Sequence, residues 1–265
     1  MLLEDKIAVV YGGGGAVGGA IARTFAREGA HVHLAGRTRK KLEAVADEIT
    51  AAGGRAFVAE VDALDPESVR RHAGEVIAAS GRIDISVNTV GIDHEQGVPL
   101  RELSLEEYLR PITAITTTQF VTATEAARQM AEAGSGVIIT VSTTAARVAL
   151  ATDGFGPACV AVEAFSKQLA NELGPHGVRV VCLRPDGIAE SVAAGSYVGE
   201  MFRRMARRFD MDEDEFLSNP GAPGRLLTRQ ITLADVAEAA TFLASDRAAG
   251  MTATITTVSA GSVID

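Results

Sequence analysis

Short β-branched runs alternate with helix-patterned segments from one end of the chain to the other, which predicts an α/β fold: a doubly wound, parallel, seven-stranded sheet with helices on both faces. Two further observations point the same way. A glycine-rich stretch, residues 12–18, separates the first apolar run from the first helical stripe. The 265 residues, 47% hydrophobic and 22% charged, suffice for one large buried core. A single domain over 1–265 is therefore expected.

Taken in order, the strands are read at residues 7–11, 31–35, 56–61, 85–89, 137–141, 179–183 and 254–258, with helices between most of them. Val17, Ile21 and Phe25 form one apolar stripe at helical spacing. Ala158, Val162, Phe165, Leu169 and Leu173 form another, with Lys167 and Glu172 turned away. Helix starts are marked by Asp65 before Pro66, and by Ser104 with Glu107 and Thr232 with Asp235, which read as capping boxes. Residues 185–228 break the alternation. Gly195, Gly199, Pro220, Gly221, Pro223 and Gly224 surround one helical piece there, so this stretch reads as an irregular insertion forming a lid on the substrate side. Within it Arg203, Arg204, Arg207 and Arg208 precede Asp212, Glu213, Asp214 and Glu215, a run expected to neutralise itself as a solvated helix end.

A net charge of -9 disfavours nucleic acid and anionic lipid as partners, and 5% aromatic residues with no Trp offer little stacking surface for single strands. Cys159 and Cys182 are too few for a disulfide framework. No segment has the uninterrupted apolar length of a membrane span, and the start lacks a basic and apolar leader, so cytoplasmic residence is expected. His31 and His33 alternate on one strand face, but no third ligand is evident and no metal is assigned.

The loop at 12–18 supplies what a dinucleotide needs. Glycines permit a tight turn and close approach of a pyrophosphate to the positive end of the helix that follows. The second strand then runs into Gly36, Arg37, Thr38, Arg39 and Lys40. An acid at this place would hold an adenosine ribose and repel a 2′-phosphate. None is present, and Arg37 offers a planar charged fork, so NADP(H) is the expected cofactor.

These residues resemble the short-chain dehydrogenase/reductase family, over essentially the whole chain. Residues 12–18 resemble its TGxxxGxG loop, with Tyr11 for the Thr and Ala16 for the middle Gly; Gly12, Gly15, Val17 and Gly18 would hold the cofactor. Val61, Asp62 and Ala63 resemble the adenine contact, and Asn88-Thr89-Val90-Gly91 resembles NNAG, with Asn88 and Gly91 as cofactor contacts. Arg184-Pro185-Asp186-Gly187-Ile188 resembles the PG motif, where Pro185 and the Ile188 backbone would meet the nicotinamide amide. The resemblance implies a Rossmann-type sheet ordered 3-2-1-4-5-6-7, a small-molecule substrate and a homodimer or homotetramer. Small side chains such as Ala123, Ala126 and Ala127 are read as outward-facing support for that assembly.

The resemblance fails at the chemistry. Members use a Ser and a YxxxK pair, but here the Tyr position falls on Phe155 and the Lys position on Cys159, and Ile115 stands near the helix-borne Asn. Ser142 or Thr143 retains the serine position. A phenyl ring has no proton to exchange and a thiol no fixed positive charge. His94 is the candidate substitute donor, with Asp93 and Asp153 behind it, although a histidine on a polar loop is more often simply exposed. Three readings remain: an NADP(H)-dependent oxidoreductase on a carbonyl or alcohol with a non-standard proton donor, an inactive nucleotide sensor or partner subunit that kept the fold, and, third, a non-redox enzyme.

Overall fold

The computed structural model describes residues 1–149, 153–194, 196–218 and 224–264. Among them seven parallel strands form one sheet in the order β3-β2-β1-β4-β5-β6-β7. They are β1 (Ile7–Tyr11), β2 (His31–Gly36), β3 (Arg55–Glu60), β4 (Ile85–Asn88), β5 (Gly136–Val141), β6 (Val178–Pro185) and β7 (Ile255–Val258). Each expected strand is found, with ends shifted by a few residues.

The central strand shows why the sequence takes this form. All five residues of β1 are buried. Ala8 and Val10 face α1 (Ala16–Arg27), α2 (Arg39–Ala51) and α9 (Leu233–Ala244). Ile7, Val9 and Tyr11 face α3 (Pro66–Ser80), α4 (Leu105–Ala133) and α5 (Phe155–Leu173). A strand covered on both faces must be apolar throughout, which is why it reads as a run and not as an alternation. The caps form as expected: Asp65 accepts from the Glu67 amide, and Ser104 with Glu107 and Thr232 with Asp235 make reciprocal boxes.

Ala123, Ala126 and Ala127 are buried in the α4 side of this core, so they are not the outward-facing surface expected of them. Their small size instead lets α4 approach the sheet closely. The outward apolar groups on these helices are others, Phe120 (56% exposed) and Val160 (50%).

Among its described residues the insertion contains three helices and not one: α6 (Ala189–Ala193), α7 (Val198–Arg208) and α8 (Glu213–Ser218). Gly195, Pro220, Gly221 and Pro223 of the expected loop lie outside the described residues. The arginine run is only partly self-neutralised. Arg207 does reach Glu213, at 3.0 Å, but Arg204 pairs with Asp93 at 2.7 Å and Arg208 with Glu95 and the Gln96 carbonyl. These two arginines clamp α7 onto the loop that follows β4.

His31 and His33 serve packing. The first accepts from Arg55 at 2.9 Å, while His33 stacks on Phe57 at 4.6 Å and meets the Ser80 hydroxyl at 3.1 Å. Burial holds both His33 and His72 down to about 4, with His72 and then His31 adding to the effect at His33. An unfolded histidine takes its proton near about pH 6.5. Between pH 6.5 and 4 the unfolded chain therefore binds protons that the native state refuses, so stability falls as the pH drops through that window and is unaffected by these groups above it. Melting temperatures should decline across it, and His72→Leu should decline less steeply; parallel curves for the two proteins would refute the assignment.

Candidate functional site

The C-terminal ends of β1, β2, β4, β5 and β6 open into one cavity of about 1110 Å³, centred where strand order reverses between β1 and β4. At its first wall the chain leaves β1 through Gly12, whose φ of +79° is left-handed and whose Cα sits so close to Thr89 that a Cβ would lie 2.9 Å from the Thr89 carbonyl carbon. The loop ends at Gly15, which caps α1 without any side-chain hydrogen bond. The positive helix end therefore faces the cavity through Gly15, Ala16 and Val17, with Gly18 packed against Gly12. No side chain fills the cradle, which fits a pyrophosphate.

At the outer end Gly36, Arg37, Thr38 and Lys41 line the same cavity. Arg37 is exposed and has no carboxylate partner among the described residues, whereas Arg39 is held by Glu43 at 2.7 Å. Asp62 and Ala63 form the adjoining rim, where Asp62 accepts from the Leu64 amide at 3.0 Å. Asn88 lines the cavity but its side chain works inward: its amide donates to the Thr118 carbonyl and the Thr122 hydroxyl, both at 2.8 Å, and its oxygen accepts from the Val90 amide. It shapes the turn that presents Gly91.

The inner end collects the remaining residues. Ser142 and Thr143 follow β5 but point differently. Ser142 is buried and donates to Glu163 at 2.9 Å; Thr143 is half-buried on the cavity wall, 3.4 Å from the Cys159 sulfur. Phe155 and Cys159 lie one turn apart on α5, so both face Thr143 and Ile115. Burial pushes the Cys159 thiol up to about 11, which makes it an inert group at neutral pH. Pro185 and Ile188 close this end beneath the lid.

His94 is not the exposed loop histidine that its polar surroundings suggest. It is 2% exposed and stacks on Phe155 with ring centres 4.5 Å apart. Its Nδ1 lies 2.9 Å from the Ile92 carbonyl and its Nε2 2.9 Å from the Gln96 amide nitrogen. The Ile92 carbonyl and the Gln96 side-chain amide thus engage both ring nitrogens. Asp93 is held by Arg204. Asp153 is buried at the start of α5, accepting from the Phe155 amide at 2.9 Å, and burial raises its pKa.

Three features escaped sequence reasoning. Glu163 and Arg184 form a buried bidentate pair, 2.7 and 2.8 Å, behind Ser142. Asp186 ties the Thr144 hydroxyl at 2.7 Å to that of Ser262 at 2.6 Å, fixing the loop after β5 against the C-terminal segment. Tyr197, carried between α6 and α7, enters the inner cavity. An acid on the buried face of α5 and a base within a buried strand were signals for the first.

This geometry has relatives. A family model described as enoyl-(acyl carrier protein) reductase matches residues 14–262. The chain belongs to the short-chain dehydrogenase/reductase family. Among curated members of that family, tropinone reductase-like 2 of Erythroxylum coca is 30% identical over 93% of this chain and 86% of its own. D-threitol dehydrogenase of Mycolicibacterium smegmatis is likewise 30% identical, over 93% and 88%. A crystal structure of a short-chain type dehydrogenase/reductase from Mycobacterium marinum superposes with a TM-score of 0.82 at 27% identity, covering 99% of this chain and 97% of that one. Short-chain dehydrogenase/reductases are oxidoreductases that use a nicotinamide dinucleotide on small molecules, and the uncapped glycine cradle is the place where such a cofactor fits. Among the described residues no group of three metal-ligating side chains occurs, and no helix is long and apolar enough to cross a membrane.

Proposed function

We propose that the protein is an NADP(H)-dependent oxidoreductase of carbonyl or alcohol substrates, working without the tyrosine and lysine of its family, whose positions are Phe155 and Cys159. The observation that carries the cofactor choice is Arg37, an exposed guanidinium without a carboxylate partner among the described residues, opening on the same cavity as the glycine cradle. On this reading Arg37 and Thr38 hold the 2′-phosphate, the N-terminus of α1 holds the pyrophosphate, Asp62 meets the adenine and the Ile188 backbone the carboxamide. When bound, the nicotinamide supplies or accepts a hydride. Thr143 polarises the carbonyl: its hydroxyl stands on the cavity wall, 3.4 Å from the Cys159 sulfur, where it can turn its proton to substrate.

Arg37→Ala should weaken NADPH by about 10- to 100-fold, the range of a lost charge-assisted hydrogen bond, and leave NADH within about twofold. Fluorescence titration measures both. Equal losses for the two nucleotides would overturn the phosphate assignment, and absent binding of either would favour an inactive partner subunit.

A cytoplasmic homodimer or homotetramer completes the reading. Phe120 and Val160 support it, since two large apolar side chains on neighbouring helices stand about half exposed. Light scattering at micromolar concentration should give at least twice the chain mass, and Phe120→Glu should lower it.

A further inference from the structure

Resting on that reading, we propose that Tyr197 is the proton donor of the reaction. Ser142, Thr143, His94, Cys159 and Tyr197 all bring exchangeable protons to the inner end of the cavity. Four are accounted for. Ser142 is committed to Glu163, His94 has both nitrogens engaged, Cys159 is bound to Thr143, and Thr143 is an alcohol too weakly acidic to surrender its proton. Tyr197 alone among these carries a phenol hydroxyl with no hydrogen bond to a described residue, and its oxygen is not among the sealed polar atoms of the interior.

Its placement suits the task. The phenol lies directly on Gly91, where a Cβ would come within 2.5 Å of both Cε1 and Oη. The position therefore admits the ring only because residue 91 is glycine. From there the hydroxyl is near enough to Cys159 and Asp93 for each to oppose its ionisation, and its ring centre is 6.5 Å from that of His94, which in turn covers Phe155. The donor is thus brought by the lid to the region where α5 presents only a phenyl ring and a thiol. It is also held there. Tyr197 immediately precedes α7, and α7 is fastened to the His94 loop by Arg204 on Asp93 and Arg208 on Glu95.

In reduction the carbonyl carbon gains a hydride from the reduced nicotinamide, which is thereby oxidised. The carbonyl π pair moves onto oxygen, that oxygen takes the Tyr197 proton, and the phenolate is reprotonated by water entering at the mouth. Burial, then Cys159 and Asp93, raises the phenol above its ordinary range, so it stays protonated at neutral pH.

Fluorine NMR on protein carrying 3-fluorotyrosine tests this apart from turnover, since the chain has only 3 tyrosines and Tyr197→Phe identifies the relevant signal. With NADP⁺ present, cyclohexanone or acetophenone should shift the Tyr197 resonance and leave those of Tyr11 and Tyr108 in place. Tyr197→Phe should melt with the wild type, bind NADPH within about twofold, and reduce these ketones about 10²- to 10⁴-fold more slowly, the usual cost of losing a positioned acid. Undiminished reduction by Tyr197→Phe, or a Tyr197 signal blind to both ketones, would overturn the assignment. So would a wild type that binds NADPH yet reduces neither ketone, with the cofactor reading left standing. Failure of the wild type to bind NADPH would bring down the cofactor reading and this proposal together.

Discussion

Arg184→Met is expected to destabilise the protein by about 3–5 kcal/mol at neutral pH, the loss typical when one partner of a buried ion pair is removed. Glu163 and Arg184 are both buried, and two guanidinium nitrogens hold the two carboxylate oxygens at 2.7 and 2.8 Å. Without Arg184 the carboxylate keeps, among the described residues, only the Ser142 hydroxyl at 2.9 Å, which is far less than its lost hydration. For a chain of this size the fall in melting temperature should be roughly 6–20 °C. The pH dependence identifies the cause. A buried carboxylate without its partner is costly only while charged, so the deficit should shrink in acid if charge is the cause. Glu163→Met combined with Arg184→Met should recover much of the loss, because two apolar chains of similar volume strand no charge. Calorimetry on the three proteins decides the matter; a double variant no better than Arg184→Met would mean that packing, and not charge, is at stake. The pair matters to the site because Ser142, the chain neighbour of Thr143, is anchored to it.

What could be read from the sequence was local. β1 announces itself because a strand covered on both faces must be apolar along its length, and the boxes at Ser104 and Thr232 announce helix starts because their partners lie three residues away. The place of Arg37 on the cavity rim is legible for the same reason, since it follows its strand directly. The features that were misread or missed depend on contacts across the fold. The acids beside Arg204 and Arg208 in sequence seemed their natural partners, yet Asp93 and Glu95 lie more than a hundred residues away and compete better because the lid folds over the β4 loop. His94 sits among polar neighbours and is nevertheless buried, because Phe155 offers it a ring to stack on. Tyr197 has no periodicity or motif around it. Its meaning comes only from Gly91, which lies more than a hundred residues earlier and leaves room for the phenol.

Combining Phe155→Tyr and Cys159→Lys in a Tyr197→Ala background should raise ketone reduction by about 10²- to 10⁴-fold over Tyr197→Ala alone. The background removes the lid donor and clears the ground over Gly91, so that any gain belongs to α5. Residues 155 and 159 are one helical turn apart and both line the cavity, so a hydroxyl and an ammonium placed there would face the same substrate position. The full gain should need both changes. A phenol without the neighbouring charge should restore only the part that an unassisted phenol such as Tyr197 supplies, and an ammonium without the phenol has no proton donor to tune. Their effects are those of a unit and not a sum. The lysine also carries a cost that must be measured first. Cys159 is 2% exposed and shares its cluster with Ile115, Ala158 and Val162, so an ammonium that stays among them is destabilising, and only one that extends into the cavity vacated by the Tyr197 ring escapes the penalty. Cys159→Lys should accordingly melt lower with Tyr197 present than in the Tyr197→Ala background. If the triple variant folds, binds NADPH as tightly as the wild type and still reduces ketones no faster than Tyr197→Ala, then substrate does not meet the cofactor on the α5 side, and the catalytic groups must be sought on the lid alone.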